Sequence, residues 1–219
     1  ADARYVSFEN VYLYGDTHGA PIVETLPAAP SSRKGRVRAA MAADVARLSQ
    51  AGDLKLTTAR ASDYFGPRAT WQSPLGEQVI GRLLANKAMQ VVGDPDQPHS
   101  YTYTADAARV LAVLGTDERA LGAVWHVPNA PARTTRELTR LITEAANRHT
   151  DVRAAPRWLL RMVGLLNPAV RELDEMLYEF TQPFIVDGTK FETTFGVGPT
   201  PFEESIPATV NWWKTRGAG

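Results

Sequence analysis

Residues 5–38 read YVSFENVYLYGDTHGAPIVETLPAAPSSRKGRVR, and the order of residue types in that stretch decides the fold to expect. Tyr5, Val6 and Phe8 are β-branched and aromatic strand formers. Gly15-Asp16 breaks the run, and Pro21, Pro27 and Pro30 hold the next segment open. Ser32 can then cap a helix that carries Lys34, Val37, Arg38 and Met41. Lys34 and Arg38 stand four apart, so both project from one helical face. Two neighbouring cations repel, so the pair calls for an anion, a carboxylate or open water. An apolar strand, a polar turn and a basic helix in this order predict the floor of an active site.

Outward from this stretch, the helix spans about 32–50 and stops at Ala51-Gly52-Asp53. Residues 54–59 (LKLTTA) predict a buried parallel strand. Ser73-Pro74 opens a helix expected to run to about residue 88. A short strand follows at 90–92, then a turn-rich connection over 93–99. Thr104 is expected to cap a helix through 114, and residues 123–127 (AVWHV) form the next strand. Thr134 and Glu137 spell a capping box, with Leu138, Leu141, Ile142 and Ala145 at helical spacing behind it. Beyond Pro156, Trp158, Leu159, Met162, Leu173, Met176 and Leu177 predict two helical stretches. Thr200-Pro201-Phe202-Glu203 caps a last helix, and Pro207 inside it is expected to bend or break it. Trp212 and Trp213 are assigned to helical packing.

Composition narrows the classes. The 219 residues carry 24 basic and 24 acidic side chains, so no net field draws the chain to nucleic acid or to an anionic membrane. The run Arg33-Lys34-Gly35-Arg36-Val37-Arg38 can be read as a nucleic-acid patch, but a neutral chain without interleaved exposed aromatics makes that reading weak. A hydrophobic fraction of 44% supports a packed core. With no cysteine there are no disulfides, no thiolate chemistry and no Cys-ligated zinc. His18, His99, His126 and His149 lack metal-ligand spacing. No apolar run is long enough for a membrane helix and no signal peptide opens the chain, which makes the cytoplasm the default expectation.

Taken in order, Val11-Tyr12-Leu13-Tyr14-Gly15, Glu24, Pro27, Pro30, the Arg60-Ala-Ser-Asp-Tyr-Phe-Gly-Pro67 loop and the Tyr101 to Asp106 segment resemble the extended short-chain dehydrogenase/reductase family. That family comprises the NAD(P)-dependent sugar epimerases and dehydratases, and the chain looks closest to an atypical branch of it. The resemblance runs from Arg4 to about Trp213. It implies an α/β fold: the C-terminal portion of a Rossmann-like, doubly wound parallel sheet with a small, mainly helical substrate lobe. Residues 1–150 would form the partial core, with lobe segments near 62–105, and residues 151–219 mainly the C-terminal lobe. The glycine-rich turn that carries the dinucleotide pyrophosphate is not in this sequence. A truncated or incompletely represented polypeptide is therefore expected, with the first strand exposing an edge where its neighbour belongs.

The resemblance also implies where chemistry should lie, and where it has been rewritten. Asn10 falls at the family's catalytic Ser/Thr, Lys34 at its catalytic Tyr and Arg38 at its Lys. These three are the catalytic candidates. Arg38, Ala61 and Ser62 are the cofactor-binding candidates, for NAD or NADP. Tyr12, Asp63, Tyr64 and His99 are the substrate-binding candidates, Asp63 replacing a family Asn that contacts substrate and His99 a family Arg. No metal is expected. Lys34 can exchange a proton near neutrality only if its ammonium is destabilised, whereas Arg38 can hold ribose or phosphate without titrating. Tyr12 and Tyr14 are the phenols at hand to supply the missing acid, although Tyr14 matches a tyrosine the family uses structurally. His126 reads as a satisfied core or rim histidine. Two functions remain open. One is an NAD(P)-dependent epimerase, dehydratase or reductase with an altered Tyr/Lys pair, acting on a small hydroxyl- or carbonyl-bearing substrate. The other is a non-redox relative, a binding protein or cofactor-free catalyst that has lost the dinucleotide site. A homodimer is expected by analogy.

Overall fold

A computed structural model describes residues 3–154 and 175–216. Three parallel strands, β1 (Arg4–Asn10), β2 (Lys55–Ala61) and β7 (Val124–His126), form the main sheet in the order β1-β2-β7. Short strands flank it. β3 (Asp63–Phe65) pairs in parallel with β6 (Tyr101–Tyr103), β4 (Met89–Val91) with β9 (Val152–Ala154), and β5 (Pro98–His99) runs antiparallel to β8 (Arg133–Thr134). The helices are α1 (Arg33–Gln50), α2 (Arg82–Leu84), α3 (Thr104–Thr116), α4 (Thr135–Ala146), α5 (Tyr178–Thr181), α6 (Thr189–Phe195) and α7 (Phe202–Arg216). This is the expected α/β architecture with a parallel sheet. Among the described residues no helix is long and apolar enough to cross a membrane.

Strand alternation sorts the two faces of the sheet. Ala59 and Ala61 of β2 turn to one face and pack with Ala107, Val110 and Leu114 of α3, with Trp125 and with Phe191 of α6. Thr58 and Arg60 turn to the other face, below α1. The small side chains on β2 let the α3 layer approach closely. A second core joins α4 and α7: Leu138, Ile142, Phe202, Ile206, Val210 and Trp213 meet Leu75, Val79, Ile80 and Leu83.

α1 begins where Ser32 Oγ accepts a hydrogen bond from Gly35 N at 3.0 Å. Gly35 is buried against the 3₁₀ turn Tyr12–Tyr14 that follows β1. A Cβ at position 35 would lie 2.5 Å from the Tyr12 carbonyl oxygen, so only glycine lets the helix seat there. The capping box at Thr134 and Glu137 forms as expected.

Four helix expectations change. After Ser73, whose Oγ accepts from Leu75 N, the chain makes a π-helical turn at Gly76–Gly81 and a single α turn, and it ends at Asn86 in a left-handed conformation. It stops short of residue 88 because Lys87 N turns back to the Arg82 carbonyl. Thr104 does not cap α3; its hydroxyl donates to the Pro67 carbonyl instead. Thr200 does not cap α7, since its hydroxyl and amide both donate to Asp106. Pro207 neither breaks nor ends α7, which runs on to Arg216. The ring faces solvent, while Phe202, Ile206, Val210 and Trp213 are buried on the opposite side. Burying four such groups at about 1.5–3 kcal/mol each outweighs the roughly 3 kcal/mol that an interior proline costs. The helical stretches expected around Trp158, Leu159, Met162 and Leu173 lie outside the described residues, whereas Met176 and Leu177 are buried.

Asp106 ties α3 to the approach to α7. Its buried carboxylate accepts from Arg109 Nη2 at 2.5 Å, Thr200 N at 2.7 Å and Thr200 Oγ1 at 2.6 Å. Asp106→Ala strands these donors, so urea unfolding should show a loss of about 2–4 kcal/mol with an unchanged m-value.

Candidate active site

Asn10 closes β1 and lies opposite Ala61, the last residue of β2, so the carboxyl ends of two parallel strands meet there. Its Oδ1 accepts from Tyr12 N at 3.3 Å, which starts the 3₁₀ turn and sets Tyr12 beside β3. Asp63 opens β3, and its Oδ2 accepts from His99 Nε2 at 3.0 Å. The other ring nitrogen, Nδ1, lies 3.0 Å from the Glu179 carbonyl oxygen. A carbonyl can only accept, so His99 Nδ1 carries a proton. The Nε2–Asp63 contact then holds one further proton, on the ring or on the carboxyl. Stacking fixes the imidazole: Phe180 lies parallel at 5.0 Å between centroids and Phe184 at 5.1 Å.

The surroundings are acidic. The charge of Asp63, followed by burial and Glu179, drives the Tyr12 phenol far above the ordinary phenol range. Burial and then Asp63 do the same to Tyr64, opposed by Arg38. Glu179, only 2% exposed, is itself pushed well above the usual carboxylate range by burial and by Asp63, with the Tyr178 hydroxyl and the charge of Lys34 opposing. Its Oε1 has no hydrogen-bond partner among the described residues. Lys34 therefore acts on Glu179 and Arg38 on Tyr64, from exposed positions on the first two turns of α1.

The fold thus gathers Asn10, Tyr12, Asp63, Tyr64 and His99 at the open end of the sheet, with Lys34 and Arg38 above them. Ala61 and Ser62 sit next to Asn10 but turn inward. Ala61 is fully buried, and Ser62 donates its hydroxyl to the Ser100 carbonyl at 2.6 Å and its amide to Thr102 Oγ1 at 3.1 Å. Glu179 escaped the sequence reading. It lies 80 residues beyond His99, in a stretch read for its apolar residues, and no local pattern marks it.

Tyr14 belongs to a separate, closed network. Its oxygen accepts from Arg60 Nη1 at 2.7 Å, and its proton is directed at His126 Nε2, 2.9 Å away. His126 therefore carries its proton on Nδ1, which donates to the Asp187 carbonyl at 3.0 Å. Arg60 Nε also donates to Glu9 at 2.9 Å, and His126 N to Glu24 at 3.0 Å. Burial, with a smaller contribution from Arg60, pulls the His126 pKa down against the opposing charge of Glu24, so the ring is held neutral. Every polar group here is committed to the scaffold, which makes His126 the core histidine expected and Tyr14 a structural phenol. Among the described residues no cluster of three or more His, Asp or Glu is placed to hold a metal ion.

Glu179 also sets a pH dependence. Its raised pKa means that the stability of the buried neutral carboxyl is complete below the ordinary value of 4.5 and is lost as pH rises above it. Glu179→Gln cannot ionise. Its urea midpoint, measured against that of the parent protein, should shift in the variant's favour as pH goes from about 4 to about 8. A constant difference across that range would contradict the buried-carboxyl assignment.

The NAD dependent epimerase/dehydratase family model matches residues 2–127. No curated protein matches the chain. Among solved structures, dTDP-glucose 4,6-dehydratase from Bacillus anthracis with NAD is 15% identical over 98% of this chain and 63% of its own, at a TM-score of 0.76. UDP-glucuronic acid 4-epimerase from Bacillus cereus with NAD is 16% identical over 99% and 61%, at 0.77. UDP-glucose 4-epimerase from Thermus thermophilus with NAD is 23% identical over 99% and 65%, at 0.75. At these identities the likeness is one of fold, and the chain spans less than two thirds of each of them. With the parallel sheet, the strand-end cluster and the family match over more than half of its length, the chain belongs to the NAD dependent epimerase/dehydratase family.

Proposed function

We propose that this chain supplies the substrate-facing part of an NAD(P)-dependent epimerase, dehydratase or reductase-like enzyme with an altered Tyr/Lys pair. One observation carries the reading: Asn10, Tyr12, Asp63, Tyr64 and His99 converge at the carboxyl ends of β1 and β2, where open α/β sheets take their ligands. The names of the structural neighbours, dehydratases and epimerases of dTDP- and UDP-linked sugars, support a sugar-like substrate bearing hydroxyl or carbonyl groups.

The described residues fit the nicotinamide-ribose end of a dinucleotide and no more of it. Asn10 offers an amide at the strand end, and Lys34 and Arg38 offer exposed cations for ribose or phosphate oxygens. No glycine turn between a strand and a helix is present among the described residues to take the pyrophosphate. Bound there, NAD(P) would supply hydride exchange. The chain's own residues would orient the substrate and handle its proton. Tyr12, kept protonated by Asp63, can donate a hydrogen bond but is a poor resting base. The Asp63–His99 hydrogen bond lies beside it. The homodimer belongs to the same reading, because α1 exposes Val37, Met41 and Leu48 along one stripe.

A non-redox relative is the second reading, favoured by Lys34 and Arg38, which stand where the resemblance places the family's Tyr and Lys. Titration of the purified protein with NAD⁺, NADH, NADP⁺ and NADPH, followed by nicotinamide fluorescence and thermal shift, separates the two. A saturable response that weakens about tenfold in Arg38→Ala, the loss of one charge-assisted hydrogen bond, is expected. No response to any of the four would sink the redox reading and leave the non-redox one.

A further inference from the structure

Positive charge collects at one end of the core that joins α4 and α7. A groove of about 480 Å³ opens there between the segment 77–87 and the last turn of α7. Gly81, Leu84 and Trp213 lie on its floor, and Arg82, Lys87 and Arg216 stand around them. A Cβ on Gly81 would meet the Trp213 ring at 3.5 Å, so its absence leaves that edge of the indole to line the groove. Two further cations adjoin it. Arg148 Nη1 donates to the Leu84 carbonyl at 2.6 Å and to Asn86 Oδ1 at 2.8 Å, and Lys214 Nζ donates to the Ala145 carbonyl at 3.2 Å. Arg82 Nε donates to the Ala88 carbonyl at 2.6 Å, and the Arg216 guanidinium lies 5.3 Å from the centroid of the Trp213 ring. None of these five cations has a carboxylate partner among the described residues. Elsewhere Arg4, Arg60, Arg109, Arg119, Arg133 and Arg136 are each ion-paired. Capping accounts for part of the excess, since the ends of α2, α4 and α7 each carry roughly half a negative charge. With Glu77 in the lining and Glu144 in the last turn of α4 also counted, the patch stays positive on a chain of zero net charge.

We propose that this groove docks an acidic segment of a partner protein, in which aspartates and glutamates flank an apolar residue that rests on Leu84 and Trp213. Charge complementarity selects the sign of the partner, and the layout selects its form. The cations stand on separate elements around an apolar floor, so successive carboxylates along a chain can each meet one of them. A lone phosphate would need donors converging on one point, and it favours the backbone N–H groups of a helix start, whereas the helix ends here present carbonyls. The apolar floor gives the segment its anchor, with tryptophan and arginine side by side as in the strongest interface positions. None of these residues belongs to the strand-end cluster, so the surface stands apart from the candidate active site and does not depend on the function proposed for it.

The test is fluorescence anisotropy on the intact protein with a labelled, end-capped peptide of about ten residues, glutamates and aspartates flanking a central leucine-phenylalanine pair. One control peptide carries the amides in place of the acids, and a second carries glycines in place of the central pair. A single-stranded oligonucleotide of equal charge is the last probe. The acidic, anchored peptide should bind saturably, about tenfold or more tightly than the other three, and should weaken as salt rises. Reversing the two exposed cations together, Lys87→Glu with Arg216→Glu, should weaken it about tenfold or more, because two attractions become repulsions. Gly81→Leu fills the floor at unchanged charge and should weaken it as well. Arg36→Glu, on exposed α1, should leave binding unaltered. Circular dichroism confirms that each variant is folded, and the surface reversal keeps the test decisive if Gly81→Leu is not. The proposal is overturned if the peptide does not bind, if the glycine control or the oligonucleotide binds as tightly, or if the groove variants bind like the parent protein.

Discussion

The approach of Gly35 to the carbonyl of Tyr12 is the contact on which the site depends. Because no Cβ intervenes, the first turn of α1 rests directly on the 3₁₀ turn that ends β1. Lys34 and Arg38 flank that contact, so their charges reach Glu179 and Tyr64 rather than open solvent alone. Any larger residue at position 35 would lift the helix and withdraw both cations. Farther along the helix, Ala42, Ala46 and Ser49 face a recess of about 160 Å³ above β2 and β7. The glycine contact therefore fixes the position of the cations that form the rim of the strand-end cluster.

Two polar networks divide the work below that rim. The first joins Glu9, Arg60, Tyr14 and His126, locks three strands together and is fully satisfied, with a tautomer that the hydrogen-bond directions dictate. Such a network rigidifies a fold and offers nothing to a ligand. The second joins Asp63, His99 and Glu179, and beside it Oε1 of Glu179 and the Tyr178 hydroxyl have no hydrogen-bond partner among the described residues.

The core around α4 and α7 shows tertiary packing overriding local preference. The π-helical turn at Gly76–Gly81 and the helix that carries Pro207 on its exposed side each break a local rule, yet both pack into the core that α4 and α7 build around Phe202, Ile206, Val210 and Trp213. Asp106 draws Thr200 away from the helix end it was expected to cap, because three donors converging on one buried carboxylate outweigh a single N-cap bond.

Local chemistry made much of this protein legible from its residues. Apolar strand-forming runs announced β1, β2 and β7, Ser32 and Thr134 announced the starts of α1 and α4, and the four-residue spacing of Lys34 and Arg38 announced a basic face. These signals are readable because each lies within a few residues along the chain. The family frame, carried by the order of several such motifs, was legible for the same reason. The partners of Asp63, the isolation of Tyr14 from the cleft and the presence of Glu179 were not, because they join residues thirty-six to more than a hundred positions apart. Side-chain identity states what a group can donate or accept. Which groups remain unpaired after folding is a property of distances that no single segment contains.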